Sequence, residues 1–568
     1  MALDKLRTFW YRGPLHRALM LVGRVPASIH AQVQEPWPGD SAHGRLLIDG
    51  RFVWNGTTAQ LARPRAPGGP AASFNWAPTE LPTEGRAHLH GFTWLRDLRA
   101  TGGEAARAAA RARIADWIAT QSGWASIAFR PDVIAARVAA WLAHYEFLAL
   151  GGDPTFEASL RQSLARQARH LWLIRLMRAP AAARIDALKG LIYAEALLFG
   201  PGKRLTQALG RLESELGNQV RPDGGHVSRS PERQLAVLRD LIDIRLALRA
   251  AAADVPESLT QAIDRMAPML RFFRHGDGAL ALFNDSHEGE SWLIDVVLTQ
   301  SEARGKPLGS APHTGFERVQ AGRAMLLLDA GAPEPRAADC AFAGTLSFEF
   351  GVGKERLVVN CGAGPAEDPR WGAALRATAA HSTLSLAEAN STEIAFTRMG
   401  AKYGRRVRSV TGTRDEADGA VWIERSHNGY ASRFGFLHNR KLYVAAGGDD
   451  VRGEDTLAAA PDVPARKRRK PRPFAIRFHL HPGVQTSMLQ DGGVLLRLPS
   501  GIGWRFAARG GAIRIDESIY FGAAVPRRTR QLVVEGTTSS EGALVKWAFR
   551  RVPERGTEPQ STAAGADT

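Results

Sequence analysis

The sequence predicts an α+β protein of two parts, a helical half followed by a large antiparallel β half. Three observations predict it. At 568 residues the chain exceeds what one core keeps together, so two or more domains are expected. From about Gly103 to Arg274 apolar residues recur at helical spacing, and after about Gly315 the period switches to two.

In the first half, residues 131–145 open with a proline suited to a helix start and place Ile134, Val138, Trp141, Leu142 and Tyr145 on one face. Helix-length segments follow at 156–176, 183–199, 203–216, 231–250 and 257–273, with short connections marked by Gly and Pro. Short connections make successive amphipathic helices antiparallel neighbours. The pattern fits hairpins curling into an incomplete α/α toroid, and a plain bundle is compatible with it too. In the second half, strands are expected at 323–330, 345–351, 356–360, 382–386, 405–410, 420–425, 434–443, 474–480, 494–498, 503–508, 529–534 and 544–550. Strands without intervening helices imply stacked antiparallel sheets, a β-sandwich. The expected division is a mixed extension over 1–85, the helical domain over 86–310, the sandwich over 315–552 and a disordered tail over 553–568. Within the extension, residues 45–54 alternate like a strand.

The formal charge of +17 favours a polyanionic partner, or reflects only an Arg-rich proteome. The basic run 466–472 reads as a solvated loop, with a polyanion contact as the sharper alternative. Two cysteines, Cys340 and Cys361, exclude a disulfide framework and a CxxC zinc site, although they stand in consecutive expected strands and a pairing between them is open. No transmembrane segment is expected, and the apolar stretch 18–23 is short for a signal peptide. The expected location is the cytoplasm, with the periplasm or cell envelope as the alternative.

Polar groups gather in three windows. The loop 219–232 enters the helix at Pro231 with Ser230 placed as its N-cap, and carries His226 and Arg229. Residues 346–383 bring Glu349, Asn360 and His381 into one sheet region, where His381 reads equally as a buried structural histidine. The third window holds His427, Tyr430 and Arg440, followed by Arg477 and His479. Tyr and His are the types that move a proton, and Arg is the type that neutralises a carboxylate. Phosphate loops, nucleotide fingerprints, nucleophile elbows and HExxH spacing are absent from the sequence.

Asp-Gly-Gly-His…Arg-Ser-Pro, Leu-Ser-Phe-Glu with Leu-Val-Val-Asn-Cys-Gly, and Ala-His-Ser-Thr together resemble the heparinase II/III family of polysaccharide lyases, over roughly residues 88–550. The resemblance implies an incomplete α/α toroid carrying an antiparallel β-sandwich, with an acidic polysaccharide between them and no nucleic acid partner. It implies β-elimination at a uronic acid: a base takes the C5 proton, a neighbour neutralises the carboxylate, and an acid protonates the departing O4. No cofactor is required, though some relatives hold a structural zinc in the sheet domain.

The chain departs from that pattern. Ala182 and Ala183 stand where an Asn-His pair is expected, and Arg233-Gln234 where Tyr-His is expected. Residues 340–344 replace a His-x-His-Ala-Asp segment, and Asn360 replaces an acidic metal ligand, so the zinc site is expected to be lost although His381 survives. The expected catalytic set is therefore Tyr430 as first choice of base, His226 as second, and His381. The expected substrate-binding set is Arg229, His427, Arg440, Asn360 and His479. Two functions follow: a lyase acting on a uronic-acid polymer, or a non-catalytic or regulatory acidic-glycan binder on the same scaffold.

Overall fold

In the computed structural model, residues 13–61, 74–121, 126–173, 184–335, 337–364, 369–397, 400–461, 463–468, 470–523 and 525–553 are described. The tail from 554 onward, most of the 63–82 stretch and Ala182–Ala183 lie outside the described residues.

The extension corrects one expectation. Residues 45–54 are not a single strand: a helix, Ser41–Ile48, runs into a hairpin of Arg51–Trp54 and Thr57–Gln60. Asp40 starts the helix by accepting from the backbone N–H of Ala42 at 2.7 Å and His43 at 3.3 Å. Asn55 and Gly56, both at positive φ, make the hairpin turn.

The helical half is an incomplete α/α toroid. Pro131–Ala143, Arg184–Tyr193 and Pro231–Ala250 form its centre, with Thr83–Gly91, Pro154–Leu173, Lys203–Gln219 and Glu257–Phe272 packed around them. Ser230 caps Pro231–Ala250 by accepting from the Arg233 N–H at 3.2 Å. Gly190 lets two central helices touch, because a Cβ there would lie 2.3 Å from the Ala135 Cα.

Two antiparallel sheets form the second half. One has nine strands, running from Ala512–Tyr520 through Arg527–Thr537, Pro473–Leu480, Glu355–Val359, Phe348–Val352, Ala324–Asp329 and Phe316–Ala321 to Ser310–Ala311, with Leu384–Leu386 paired to Pro473–Leu480. The other has eight, ordered Val410–Ala417, Ala420–His427, Phe436–Val444, Asp450–Ala459, Ala543–Arg551, Gly503–Arg509, Val494–Arg497 and Gln485–Met488. The nine-stranded sheet is the middle layer. All six residues of Ala324–Asp329 are buried: Met325 and Leu327 join the helical core, while Leu326 and Leu328 join the core between the sheets. Burial on both faces explains why Ala-Met-Leu-Leu-Leu lacks alternation. The far face of the eight-stranded sheet meets solvent.

Strand Asp450–Ala459 was not expected, because its inward positions are Val451, Gly453, Asp455 and Leu457. Gly453 makes room for Trp547, whose ring carbon would lie 2.1 Å from a Cβ. Asp455 accepts from His438 Nε2 at 2.7 Å, Arg440 Nε at 2.8 Å and Trp547 Nε1 at 2.8 Å. Burial works to raise the Asp455 carboxyl, but Arg440 and His438 more than offset it and hold it well below the usual carboxylate range. The expected strand 405–410 does not form; Gly400–Tyr403 and Val410–Ala417 flank it. Cys340 and Cys361 are free thiols, so no bond joins them.

Asp455→Asn should lower stability by about 3 kcal/mol or more in urea unfolding, because it leaves the Arg440 charge buried without a counter-ion. A loss below about 1 kcal/mol would contradict this account of the network.

Candidate functional site

Six of the eight sequence-selected residues converge, but on a chain segment rather than a groove. Ala377–Leu384 is pinned from every side. His381 Nδ1 bonds the Ala377 carbonyl at 2.8 Å and His479 Nε2 bonds that of Ala379 at 3.0 Å. Asn360 accepts from the Ser382 N–H at 3.0 Å, and Arg440 donates to the Ser382 carbonyl at 2.8 Å. The Tyr430 hydroxyl donates to the Leu384 carbonyl at 2.9 Å. His427 joins through its ring, 3.2 Å from His438, the partner of Asp455. All six side chains are at most 2% exposed.

This corrects the expected roles of Tyr430 as a base and of His427 and Arg440 as substrate-binding residues. In Phe436–Val444 the inward phase includes His438 and Arg440, so these polar side chains face the core and spend their hydrogen bonds there. A phenol enclosed this way, and pushed further from ionisation by burial, is out of reach of a polymer chain. The same holds for His381, His479 and Asn360. The zinc expected of some relatives finds no donor set here. Phe342 packs edge-on to His381 at 5.7 Å, Asn360 bonds Glu349, and among the described residues no three His, Cys, Asp or Glu are grouped to hold a metal ion.

His226 and Arg229 lie elsewhere, at the seam between the halves, where they border a cavity of about 290 Å³ with Arg221, His313, Glu334 and Arg408. His226 is 1% exposed and bonded to Ser228 at 2.7 Å and Gln219 at 3.1 Å. Arg229 pairs with Asp329 and donates to the Thr314 carbonyl at 2.8 Å. Both are committed to structure.

The site that sequence reasoning missed is a cleft of about 560 Å³ on the inner face of the helical half. Small residues on Pro131–Ala143 (Ala136, Ala139, Ala140 and Ala143) line one wall and leave it open. Arg184–Tyr193 and Pro231–Ala250 supply the charged floor. Lys189 sits between Asp240, at 2.9 Å, and Asp243, and Trp37 donates to Asp243 at 2.7 Å. Arg233 grips Asp186 with two bonds of 2.7 and 3.1 Å. Burial and the Asp240 carboxylate raise Asp186 in spite of Arg233, while Lys189 holds Asp240 low against its own burial. The two neighbouring carboxyls are thereby pushed in opposite directions, Asp186 up and Asp240 down.

Two further cations, Arg239 and Arg96, line the cleft. Arg239 lies 5.0 Å over the Trp37 ring, and among the described residues its Nε has no hydrogen-bond partner. Arg96 pairs with Glu35 at 2.8 Å. His88 is exposed on the cleft, where the surrounding walls and then the charges of Arg96 and Arg239 push its imidazole below the usual histidine range and favour the neutral form. The cleft thus mixes both signs of charge. Its lining holds six carboxylates (Glu35, Asp97, Asp132, Asp186, Asp240 and Asp243) against four Lys and Arg, so it is not the uniformly basic trough an acidic polymer implies. A hint was present in the sequence, since Lys189 follows Asp186 by three residues, and Asp243 follows Asp240 by three and Arg239 by four, in two apolar helices.

Residues 303–548 match the family described as Heparinase II/III-like, C-terminal. FtsZ-localized protein C of Caulobacter vibrioides is 32% identical over 554 residues, which is 95% of this chain and 93% of that protein. Among solved structures, heparinase III superposes with a TM-score of 0.73 at 14% identity, covering 97% of this chain and 89% of that one. Heparan sulfate lyase HepC from Pedobacter heparinus gives 0.60 at 15% identity, covering 98% and 89%. At such identities the likeness to the lyases is one of fold.

Two outcomes follow from the buried residues. Tyr430→Phe should cost about 1–2 kcal/mol in urea unfolding, from one unsatisfied buried carbonyl, and leave ligand affinity unchanged. Burial depresses His226 to about 3, His381 to about 4 and His479 to about 3 from an ordinary 6.5. Their contribution is complete above pH 6.5 and is lost as pH falls towards those values. Tm measured by calorimetry should be level above neutrality and fall steadily through mild acid; a Tm unchanged down to the carboxylate range would refute this.

Proposed function

The chain belongs to the heparinase II/III family, and on that premise we propose that it is a non-lytic member, an FtsZ-localised saccharide-binding protein that keeps the scaffold and its cleft without the elimination chemistry. The observation that carries this reading is the Arg233–Asp186 pair. Arg233-Gln234 stands where the resemblance expects Tyr-His, and neither side chain supplies a proton-transfer group. Arg233 is locked to Asp186, while Gln234 is fully buried and donates to the carbonyls of Gly224 at 2.9 Å and Met266 at 3.0 Å. Elimination needs a base within reach of the C5 proton and donors aimed at the developing enolate. The cleft instead offers charges already neutralised in pairs, which suits holding a ligand more than transforming one.

The cationic corner of Arg239 and Arg96 provides the place for a saccharide carboxylate, and Trp37 stiffens it by stacking on Arg239. The near full-length likeness to FtsZ-localized protein C supports an FtsZ-localised role. Among the described residues no helix is long and apolar enough to cross a membrane.

One observation favours the lytic reading: His88 is neutral at physiological pH and opens on the cleft, so it has the character of a base. A panel of uronic-acid polymers separates the two. Purified protein should bind at least one without any growth of the ultraviolet absorbance of an unsaturated uronate. Arg239→Ala should weaken that binding by about tenfold or more, as expected for one charge-assisted contact. Sustained absorbance growth, abolished in His88→Ala, would replace this reading with a lyase. A fluorescent fusion that fails to co-localise with FtsZ would remove the second half of the proposal.

A further inference from the structure

We propose that the outer face of the eight-stranded sheet is a docking groove for an extended acidic peptide with alternating apolar residues, contributed by a partner protein. The inference stands apart from whatever the helical cleft binds. Strand register alone lines up the groove. Trp422 lies opposite Tyr443, Tyr443 opposite Arg452, Arg452 opposite Ala548, and Ala548 opposite Ala507. This row crosses five strands and floors a depression of about 610 Å³. The alternate residues of the same strands, Ile423, Leu442, Val451, Phe506 and Phe549, are core, so the row faces outward, and among the described residues no layer covers it.

The row is unlike an ordinary solvent face. Trp422 is 42% exposed and lies 5.1 Å from the Tyr443 ring, whose other side carries the Arg452 guanidinium at 5.4 Å. Exposed Trp and Tyr beside Arg is the composition of binding hot spots. Beyond them, Ala548 and Ala507 leave the floor low and apolar. Cations form both rims. Lys441, Lys546 and Arg509 stand on one side and Arg550 and Arg505 on the other, so the lining holds six cations with Arg452 and one carboxylate, Glu454.

Most of these cations have partners at exposed positions, among them Arg452 with Asp450 at 2.6 Å and Arg505 with Asp491. Lys441 meets Glu424 at 3.4 Å, Lys546 meets Glu454 at 3.3 Å and Arg550 meets Asp450 at 3.3 Å, with each cation more than half exposed. Exposed pairs of this kind contribute little, so exchanging them for a ligand carboxylate costs little.

Geometry selects the occupant. Outward residues two apart on a strand are separated by about 6.6 Å, which sets the rims about 13 Å apart across the central row. That width takes one extended chain with its apolar side chains on the floor and its carboxylates turned to the rims. A highly charged glycan gains nothing from an alanine floor, and the 48° tilt between Trp422 and Tyr443 gives sugar rings no common plane.

The test uses the full chain and a short fluorescein-labelled peptide alternating Glu and Leu, with a proline at each end against self-pairing. Fluorescence anisotropy should report binding that weakens about tenfold or more in Trp422→Ala and again in Arg452→Glu. Both side chains are exposed, so circular dichroism and Tm should match the parent. A Glu-Ser peptide of equal charge should bind more weakly. The proposal is overturned if the Glu-Leu peptide does not bind, if both variants bind it as the parent does, or if a heparin oligosaccharide binds this face while the peptide does not.

Discussion

The seam between the two halves rests on Arg229. Its backbone sits at positive φ, and its guanidinium leaves the helical half to meet Asp329 and the carbonyls of Thr314 and Gly315, all in the sheet half. The Phe316 ring lies 4.7 Å beneath it. Around this anchor, Asp223 accepts from the Thr314 N–H at 2.8 Å, and a Cβ on Gly225 would lie 1.9 Å from the Thr314 hydroxyl. Further along, His275 bonds Glu349 at 2.7 Å and Arg356 bonds Asp277 at 2.7 Å. Removing one partner from such buried pairs leaves an uncompensated charge, so the seam is specific in register as well as adhesive. The Asp-Gly-Gly-His loop and the Leu-Ser-Phe-Glu strand are the two sides of this seam, which gives these motifs a structural meaning whatever the chain binds.

The same rule of compensated charge runs through the whole molecule. An Arg-rich chain has buried many of its guanidinium groups, and each buried one needs a carboxylate or carbonyls. Arg440 has Asp455, and Arg137 has the carbonyls of His90 and Ala128, both at 2.8 Å. In the helical cleft the rule produces the Lys189–Asp240–Asp243 and Arg233–Asp186 groups. Net positive charge therefore says little about the cleft. The depression on the open face of the outer sheet instead holds six cations against one carboxylate, where solvent lowers the cost of their crowding.

Much of the architecture was legible in the sequence because its signal is periodic. Helix Pro231–Ala250 announces itself by Ser230, Pro231 and an apolar face, and most strands by alternation. The errors have physical causes. Residues 45–48 alternate but obey the Asp40 cap, and Asp450–Ala459 hides its strand by turning Gly453 and Asp455 inward. The candidate residues were chosen by chemical type, and type is silent about direction: Tyr430, His381 and Arg440 have the chemistry of a site and the burial of a scaffold.

By itself the sequence determined the order of the halves, the helical and strand periods, the family motifs and the Arg233-Gln234 pair that follows Ser230-Pro231-Glu232. These depend on neighbours close along the chain. Only the tertiary structure decided which polar side chains face a cavity, since that depends on contacts such as Arg229–Asp329 and Arg440–Ser382, formed between residues 100 and 58 positions apart. A one-residue change of strand phase exchanges core for surface, and no local pattern records which polar residue has found a buried partner.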